Sequence, residues 1–152
     1  MRLSLSLFLL CASLAAQQPR LDYATYLGAA GFESIIASTT DREGNIWLTG
    51  YTTSADFPAA GDAFRNSYTA GRDVFIVKID PRRDRDQQIV YSTFVGGSGN
   101  DEPTGIGLDD AGFVYVCGFT NSDNFPLAGN AFQGRPGGRE DGFVLKLDPR
   151  VG

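Results

Sequence analysis

The oxygen-bearing side chains between positions 100 and 110 are the part of this chain best suited to chemistry. Asn100, Asp101 and Glu102 stand together, and Asp109 and Asp110 follow shortly after. Carboxylate and amide oxygens are the hard donors that calcium takes, so these five form a candidate calcium set. Their spacing matches neither an EF-hand loop nor a glycine-rich calcium repeat. Two carboxylates a few ångströms apart can also cleave a glycosidic bond, for which Asp101 would pair with Asp109 or Asp110. The plainer reading of the same residues is turn caps and solvated charge.

Aromatic side chains supply a second candidate surface. Trp47, Tyr51, Tyr115 and Phe119 carry flat apolar faces on which a sugar ring could stack, and these four form a candidate glycan site. Packing between sheets is the competing use. Other chemistry is excluded by composition. There is no histidine in the 152 residues, which removes Ser-His-Asp and Cys-His catalysis and His-ligated zinc. Gly97-Ser98-Gly99 and Gly105-Ile106-Gly107 lack the spacing of a dinucleotide or phosphate loop and read as turn glycines. No catalytic constellation is visible, and no cofactor is expected beyond the calcium that the acidic set would suit.

These candidates lie in a sequence that repeats itself. Tyr23-Ala24-Thr25-Tyr26-Leu27-Gly28 returns as Tyr91-Ser92-Thr93-Phe94-Val95-Gly96, a shift of 68 positions. The same shift carries Gly50 onto Gly118, Phe57-Pro58 onto Phe125-Pro126 and Asp80-Pro81-Arg82 onto Asp148-Pro149-Arg150. The copies span residues 23–82 and 91–150, and a fixed period of this kind signals a repeat architecture. The only lysines, Lys78 and Lys146, are equivalent, which suggests one structural role used twice. Trp47 aligns with Tyr115 and Tyr51 with Phe119, which favours packing over binding. Of the acidic set the first copy keeps only Glu33 and Asp41.

Short β-branched and aromatic runs bounded by Gly, Asp and Pro read as strands. One copy holds four of them: Ser34–Thr40, Asn45–Thr52, Asp73–Asp80 and Gln88–Phe94. Asp41-Arg42-Glu43-Gly44 and Asp109-Asp110-Ala111-Gly112 place Asp first and Gly fourth, as a type I turn at a hairpin tip prefers. A long connection runs from Thr53 to Arg72 and again from Asn121 to Glu140. Its recurrent phenylalanines predict a self-packed loop with Phe57 and Phe64 anchored on the sheet. The fold class is therefore all-β, with two four-stranded antiparallel propeller-like blades forming an incomplete propeller.

Tyr91 to Glu102 resembles the opening of an SBBP repeat, the seven-bladed β-propeller type found in exported bacterial proteins. Its continuation, Gly112-Phe113-Val114-Tyr115-Val116-Cys117-Gly118-Phe119-Thr120-Asn121-Ser122-Asp123-Asn124-Phe125-Pro126, resembles the same family, as does Gly44 to Thr52 in the first copy. The resemblance implies a propeller-type, extracytoplasmic protein and no particular activity. Two copies and a leading strand, Tyr23–Gly28, are fewer than the roughly four to eight blades of a closed ring. Three expectations follow: a piece of a longer gene, self-association of open blade faces and edges into a ring, or a two-sheet domain whose first sheet Tyr23–Gly28 completes.

Arg2, the apolar stretch Leu3–Leu10 and the small residues Ser13-Leu14-Ala15-Ala16 read as a signal peptide over residues 1–16, too short for a stable membrane span. Residues 17–22 form a linker, and residues 23–152 form the two-repeat module. Cleavage would remove Cys11 and leave Cys117, which aligns with Thr49 and is expected to be a buried, inert thiol. A net charge of −5 disfavours nucleic acid. The reading is an exported (secreted, periplasmic or cell-surface), non-enzymatic repeat protein offering a structural or interaction surface to a protein or glycan. The alternatives are a piece of a propeller-type lyase or hydrolase, and a calcium- or glycan-binding module.

Overall fold

The computed structural model describes residues 18–150, so the signal-peptide reading lies outside the described residues. The described residues form two antiparallel sheets. The first contains β1 (Glu33–Thr40), β2 (Ile46–Thr52), β3 (Asp73–Ile79) and β4 (Ile89–Val95), in that order across the sheet. The second contains β5 (Asp101–Leu108), β6 (Val114–Thr120) and β7 (Asp141–Leu147). A single 3-10 turn, Arg85–Gln87, precedes β4. The four strands expected in the first copy form within a residue of their predicted ends, because local alternation and β-branched content already specify them.

The hairpin tips follow from their turn chemistry. Gly44 and Gly112 have φ of 80° and 85°, a conformation that a Cβ would disfavour. Their N–H groups donate to the carbonyls of Asp41 and Asp109 at 3.1 and 3.0 Å. Gly50 and Gly118 serve a different purpose. A Cβ on Gly118 would overlap the Glu102 carbonyl and lie 2.8 Å from Phe143 Cζ, and one on Gly50 would meet Ser34 and Phe75 likewise. In both hairpins the partner strand bulges beside that glycine, between Ile35 and Ala37 and between Pro103 and Gly105.

The sheets stack through one core. Trp47, Val74, Ile76, Tyr91 and Val95 on the inner face of the first sheet meet Val114, Val116 and Phe143 of the second, with Ile106, Leu108, Phe125, Leu145 and Leu147 around them. A second cluster covers the outer face of the first sheet: Phe57, Phe75, Val77, Ile79 and Phe94. Under the 68-residue shift this outer face corresponds to the inner face of the second sheet. The two units therefore stack in the same sense, front to back.

Four expectations need correction. The second sheet has three strands among the described residues, not four. Tyr23–Gly28 is not a strand: the fourth place in the first sheet is taken by β4, and the segment instead lies on the outer face with Tyr23 and Leu27 packed against the second cluster. Phe57 is buried and stacks on Phe75 at 4.8 Å, but Phe64 is about half exposed. Cys117 is exposed, whereas its counterpart Thr49 is fully buried, because the second sheet covers the first and nothing among the described residues covers the second.

Candidate functional site

The candidate calcium residues fall at opposite ends of β5. Asp101 opens the strand and Asp109 follows its end, a separation of roughly 26 Å at the ~3.3 Å rise of a strand residue. That is far beyond the few ångströms that a glycosidase pair needs, so the Asp101–Asp109 and Asp101–Asp110 pairings do not form. Among the described residues no three of His, Cys, Asp and Glu gather in one place.

Asp101 is fully buried and ties three segments together. Its carboxylate accepts from Gly97 N at 2.7 Å, from Ser122 Oγ at 3.0 Å and from Thr120 Oγ1. Glu33 does the same one repeat earlier, accepting from Ala29 N at 3.0 Å, Thr52 Oγ1 at 2.8 Å and Ser54 Oγ. Burial pushes the Glu33 carboxyl up, but the bonds from Ser54, Ala29 and Thr52 together hold it below its ordinary value. All three donor positions obey the 68-residue shift. A carboxylate followed by a Thr-x-Ser on the next strand is therefore a repeated tie, legible in both copies and missed in the sequence.

Asp109 and Asp41 stabilise the hairpin tips. Asp109 Oδ1 accepts from Ala111 N and Phe113 N, and Oδ2 accepts from Tyr115 OH at 2.8 Å. These bonds, Tyr115 foremost and with Lys146 nearby, lower its pKa against the opposing effect of burial. Asp41 accepts from Asn45 N, Asn45 Nδ2 and Trp47 Nε1 and pairs with Lys78 Nζ at 3.0 Å. Burial opposes its charge, yet Asn45, Lys78 and Trp47 keep it well below the usual carboxylate range. Lys78 lies over the Trp47 ring at 5.2 Å, and Lys146 lies over Phe113 and Tyr115 at 3.9 and 5.3 Å. The two lysines thus share one structural role, as their equivalence suggests.

The remaining candidates sit apart. Glu102 pairs with Arg72, and Asp110 pairs with Arg42 at 2.6 Å on the surface. Arg42 and Asp110 are equivalent turn residues, so this ion pair joins one hairpin tip to the next. The backbone N–H of Asn100 donates to Asn121 Oδ1 at 2.6 Å. A cleft of about 380 Å³ opens between the tips, with Asp41, Trp47, Lys78, Asp109 and Arg150 in its lining. Within it Asp41 pairs with Lys78 and Arg42 with Asp110, while Arg150 pairs with Asp148 beside it.

The four aromatics divide in their exposure. Trp47 is 3% exposed and lies between the sheets, tilted against Tyr91 at 6.1 Å. Tyr51 is half-buried between Phe32 and Arg72, whose guanidinium stands 4.8 Å from its ring centre. Tyr115 is half-buried and bound to Asp109, and Phe119 is partly exposed on the outer face of the second sheet.

One buried acid was not anticipated. Asp73 is fully buried, accepts from Thr69 N at 2.7 Å through Oδ2, and has no partner for Oδ1. Gly96 separates it from Asp101: a Cβ there would stand 2.5 Å from Asp73 Oδ1 and 2.8 Å from Asp101 Oδ2. Burial first, and the Asp101 charge besides, raise its pKa.

The family model described as SBBP, a β-propeller repeat, matches residues 22–58 and 90–126. No curated protein matches the chain. Each match begins ahead of the carboxylate tie, runs through the Asp–Gly hairpin and the packed sheet glycine, and ends at the Phe-Pro pair. With both copies folded on the same tie, turn and close-packed glycine, the chain carries two copies of the SBBP β-propeller repeat.

Proposed function

We propose that this chain is an exported, non-enzymatic propeller-repeat protein whose sheets act as a structural or interaction surface. The observation that carries the reading is the commitment of its reactive groups to the fold. Asp101, Asp109 and Asp41 hold backbone amides and side chains of their own unit, and their bonds recur in register between the copies. A catalytic acid or base needs reach to a substrate proton and an environment that poises its pKa near working pH. Asp41 and Asp109 are shifted the other way, toward permanent charge.

Residues 1–16 support export, and the extracytoplasmic site follows from them. The partly exposed face carrying Phe119 is where a protein or glycan would meet the second unit. Three measurements test the proposal. Expression of the whole reading frame with a C-terminal tag should yield protein outside the cytoplasm whose N-terminus is Gln17. Polysaccharide lyase and hydrolase panels should give no turnover. Calcium titration by calorimetry should give no saturable heat. Turnover abolished by a single acidic substitution would overturn the non-enzymatic reading. Retention of the intact N-terminus in the cytoplasm would overturn export.

A further inference from the structure

Two carboxylates meet where the first unit connects to the second. Asp73 opens β3 and Asp101 opens β5. Both are fully buried, and they face one point, the place of a Cβ on Gly96, from 2.5 and 2.8 Å. The connecting segment, Gly96 to Asn100, is gripped from both sides. The second unit takes its amides: Ser98 N donates to Asn124 Oδ1 and Gly99 N to Ser122 Oγ, both at 2.8 Å. The first unit holds it through Arg72, whose N–H donates to Gly99 O at 3.3 Å and whose carbonyl accepts from Asp101 N at 2.7 Å.

The two acids are held unequally. Asp101 accepts from three donors, which favour its ionised form. Asp73 accepts from Thr69, and its Oδ1 has no partner. Neither nearby cation bonds either acid: Arg65 donates to Gly96 O and Thr69 Oγ1, both at 2.7 Å, and Arg72 pairs with Glu102. The other titratable groups around Asp73 are Tyr68 of the same loop and Glu33, which accepts from Thr52, the residue opposite Asp73 on β2. The end of β4 contributes Gly96, which has none. A buried carboxylate with one oxygen unbonded, beside a second negative charge, is hard to ionise. A proton on Asp73 Oδ1 removes that second charge and turns the unpartnered acceptor into a donor. Burial foremost, with the Asp101 charge adding to it and Thr69 and Arg65 opposing, raises the Asp73 pKa.

Both halves of the pair belong to the repeat. Asp141 is the counterpart of Asp73, and its Oδ2 accepts from Gly137 N at 2.9 Å as that of Asp73 accepts from Thr69 N at 2.7 Å. Glu33 is the counterpart of Asp101, and a Cβ on Gly28 would stand 2.8 Å from Glu33 Oε2, as one on Gly96 would from Asp101 Oδ2. Each unit thus carries a loop-binding acid at the head of its third strand and a tie carboxylate at the head of its first. Stacking one unit on the next brings one of each together.

We propose that Asp73 and Asp101 form a one-proton latch between the two units: with the proton on Asp73 Oδ1 the segment from Gly96 to Asp101 is clamped between them, and loss of that proton to solvent loosens the clamp. Opening hydrates Asp73, so the open junction binds the proton less tightly than the closed one. The stabilisation is therefore fully present at acid pH and is lost as pH rises through the closed-junction pKa of Asp73. The opening is local. The Arg72 bonds and the tie at Asp101 release while the strand ladders of both sheets stay paired.

Hydrogen exchange read by NMR on the purified chain tests the latch. Protection factors of the junction amides, Gly97 N and Asp101 N, are compared with those of the central strands β3 and β6 from about pH 4 to about pH 7. Junction protection should fall by at least ~10-fold relative to those strands as pH rises, since each pH unit between the closed and open midpoints changes the opening equilibrium tenfold. In Asp73→Asn, which cannot ionise, the junction should keep its protection throughout. The carbon-13 signal of the Asp73 carboxyl should titrate above the ordinary aspartate range, and Asp101→Asn, which removes the facing charge, should lower that midpoint. If Asp101→Asn does not fold, the Asp73 signal and Asp73→Asn decide the matter. Junction protection indifferent to pH, an equal fall in Asp73→Asn, a fall shared by β3 and β6, or an Asp73 carboxyl that titrates in the ordinary range would overturn the inference.

Discussion

Asp101 separates the structural use of the acidic residues from the metal-binding one. Asp101→Ala removes the acceptor of three donors, Gly97 N, Thr120 Oγ1 and Ser122 Oγ, all on residues that lie in the buried junction at the start of β5. A buried donor left without a partner costs about 1–3 kcal/mol. Two of the three are hydroxyls that can rotate to other acceptors, and loss of the Asp101 charge relieves the repulsion that raises Asp73. The expected loss is therefore about 3–5 kcal/mol, toward the lower part of the range for three donors. In a domain of this size that lowers Tm by roughly 10–18 °C. The decisive variant is Asp101→Glu. Glu33 accepts from the equivalent three donors in the first unit, so the longer side chain should recover more than half of the loss. Thermal unfolding of the three proteins, each in EDTA and in millimolar calcium, gives the answer. The structural tie predicts equal losses in both buffers. A loss below about 1 kcal/mol in EDTA, beneath the cost of even one orphaned donor, or a loss seen only with calcium, would refute the reasoning.

Three further outcomes are expected. Gly118→Ala should cost at least ~3 kcal/mol, since its Cβ meets rigid backbone, whereas Gly107→Ala, with open space around its Cβ, should be neutral or stabilising by about 0.5 kcal/mol; denaturant melts compare them directly. Asp73→Asn should stabilise the protein at neutral pH. The folded pKa of Asp73 is raised, so its favourable protonated state is fully populated at acid pH and is lost as pH rises through that pKa; the Tm advantage of the variant should open between pH 4 and pH 7, and an advantage confined to acid would contradict it. Trp47, the one tryptophan, should emit as a buried indole, resist iodide quenching and ignore added saccharides; a sugar-dependent spectral shift would place it in a binding site.

Much of the architecture was legible because its causes are local. Strand alternation from Asn45 to Thr52 sets which residues face the core, and the structure puts Trp47 on one face and Ile46 and Leu48 on the other. The Asp–Gly turns, the paired lysines and the repeated glycines were likewise readable, since each depends on neighbours in sequence or on the 68-residue echo. The carboxylate tie was present in both copies but unread. Its donors Thr120 and Ser122 lie 19 and 21 residues beyond Asp101 and arrive only through the β5–β6 register.

The residues by themselves determined the repeat unit, its strands, its hairpins and the absence of histidine chemistry, because these follow from side-chain type, spacing and backbone preference. Only the tertiary structure decided what each charged group serves, since a carboxylate reads the same in sequence whether it binds an ion or caps a turn. It also decided exposure. Cys117 and Val144 carry the alternation of buried strand residues, yet they face solvent while Thr49 and Ile76 do not. The alternation states which side of a strand is apolar; whether that side is covered depends on the sheet stacked against it.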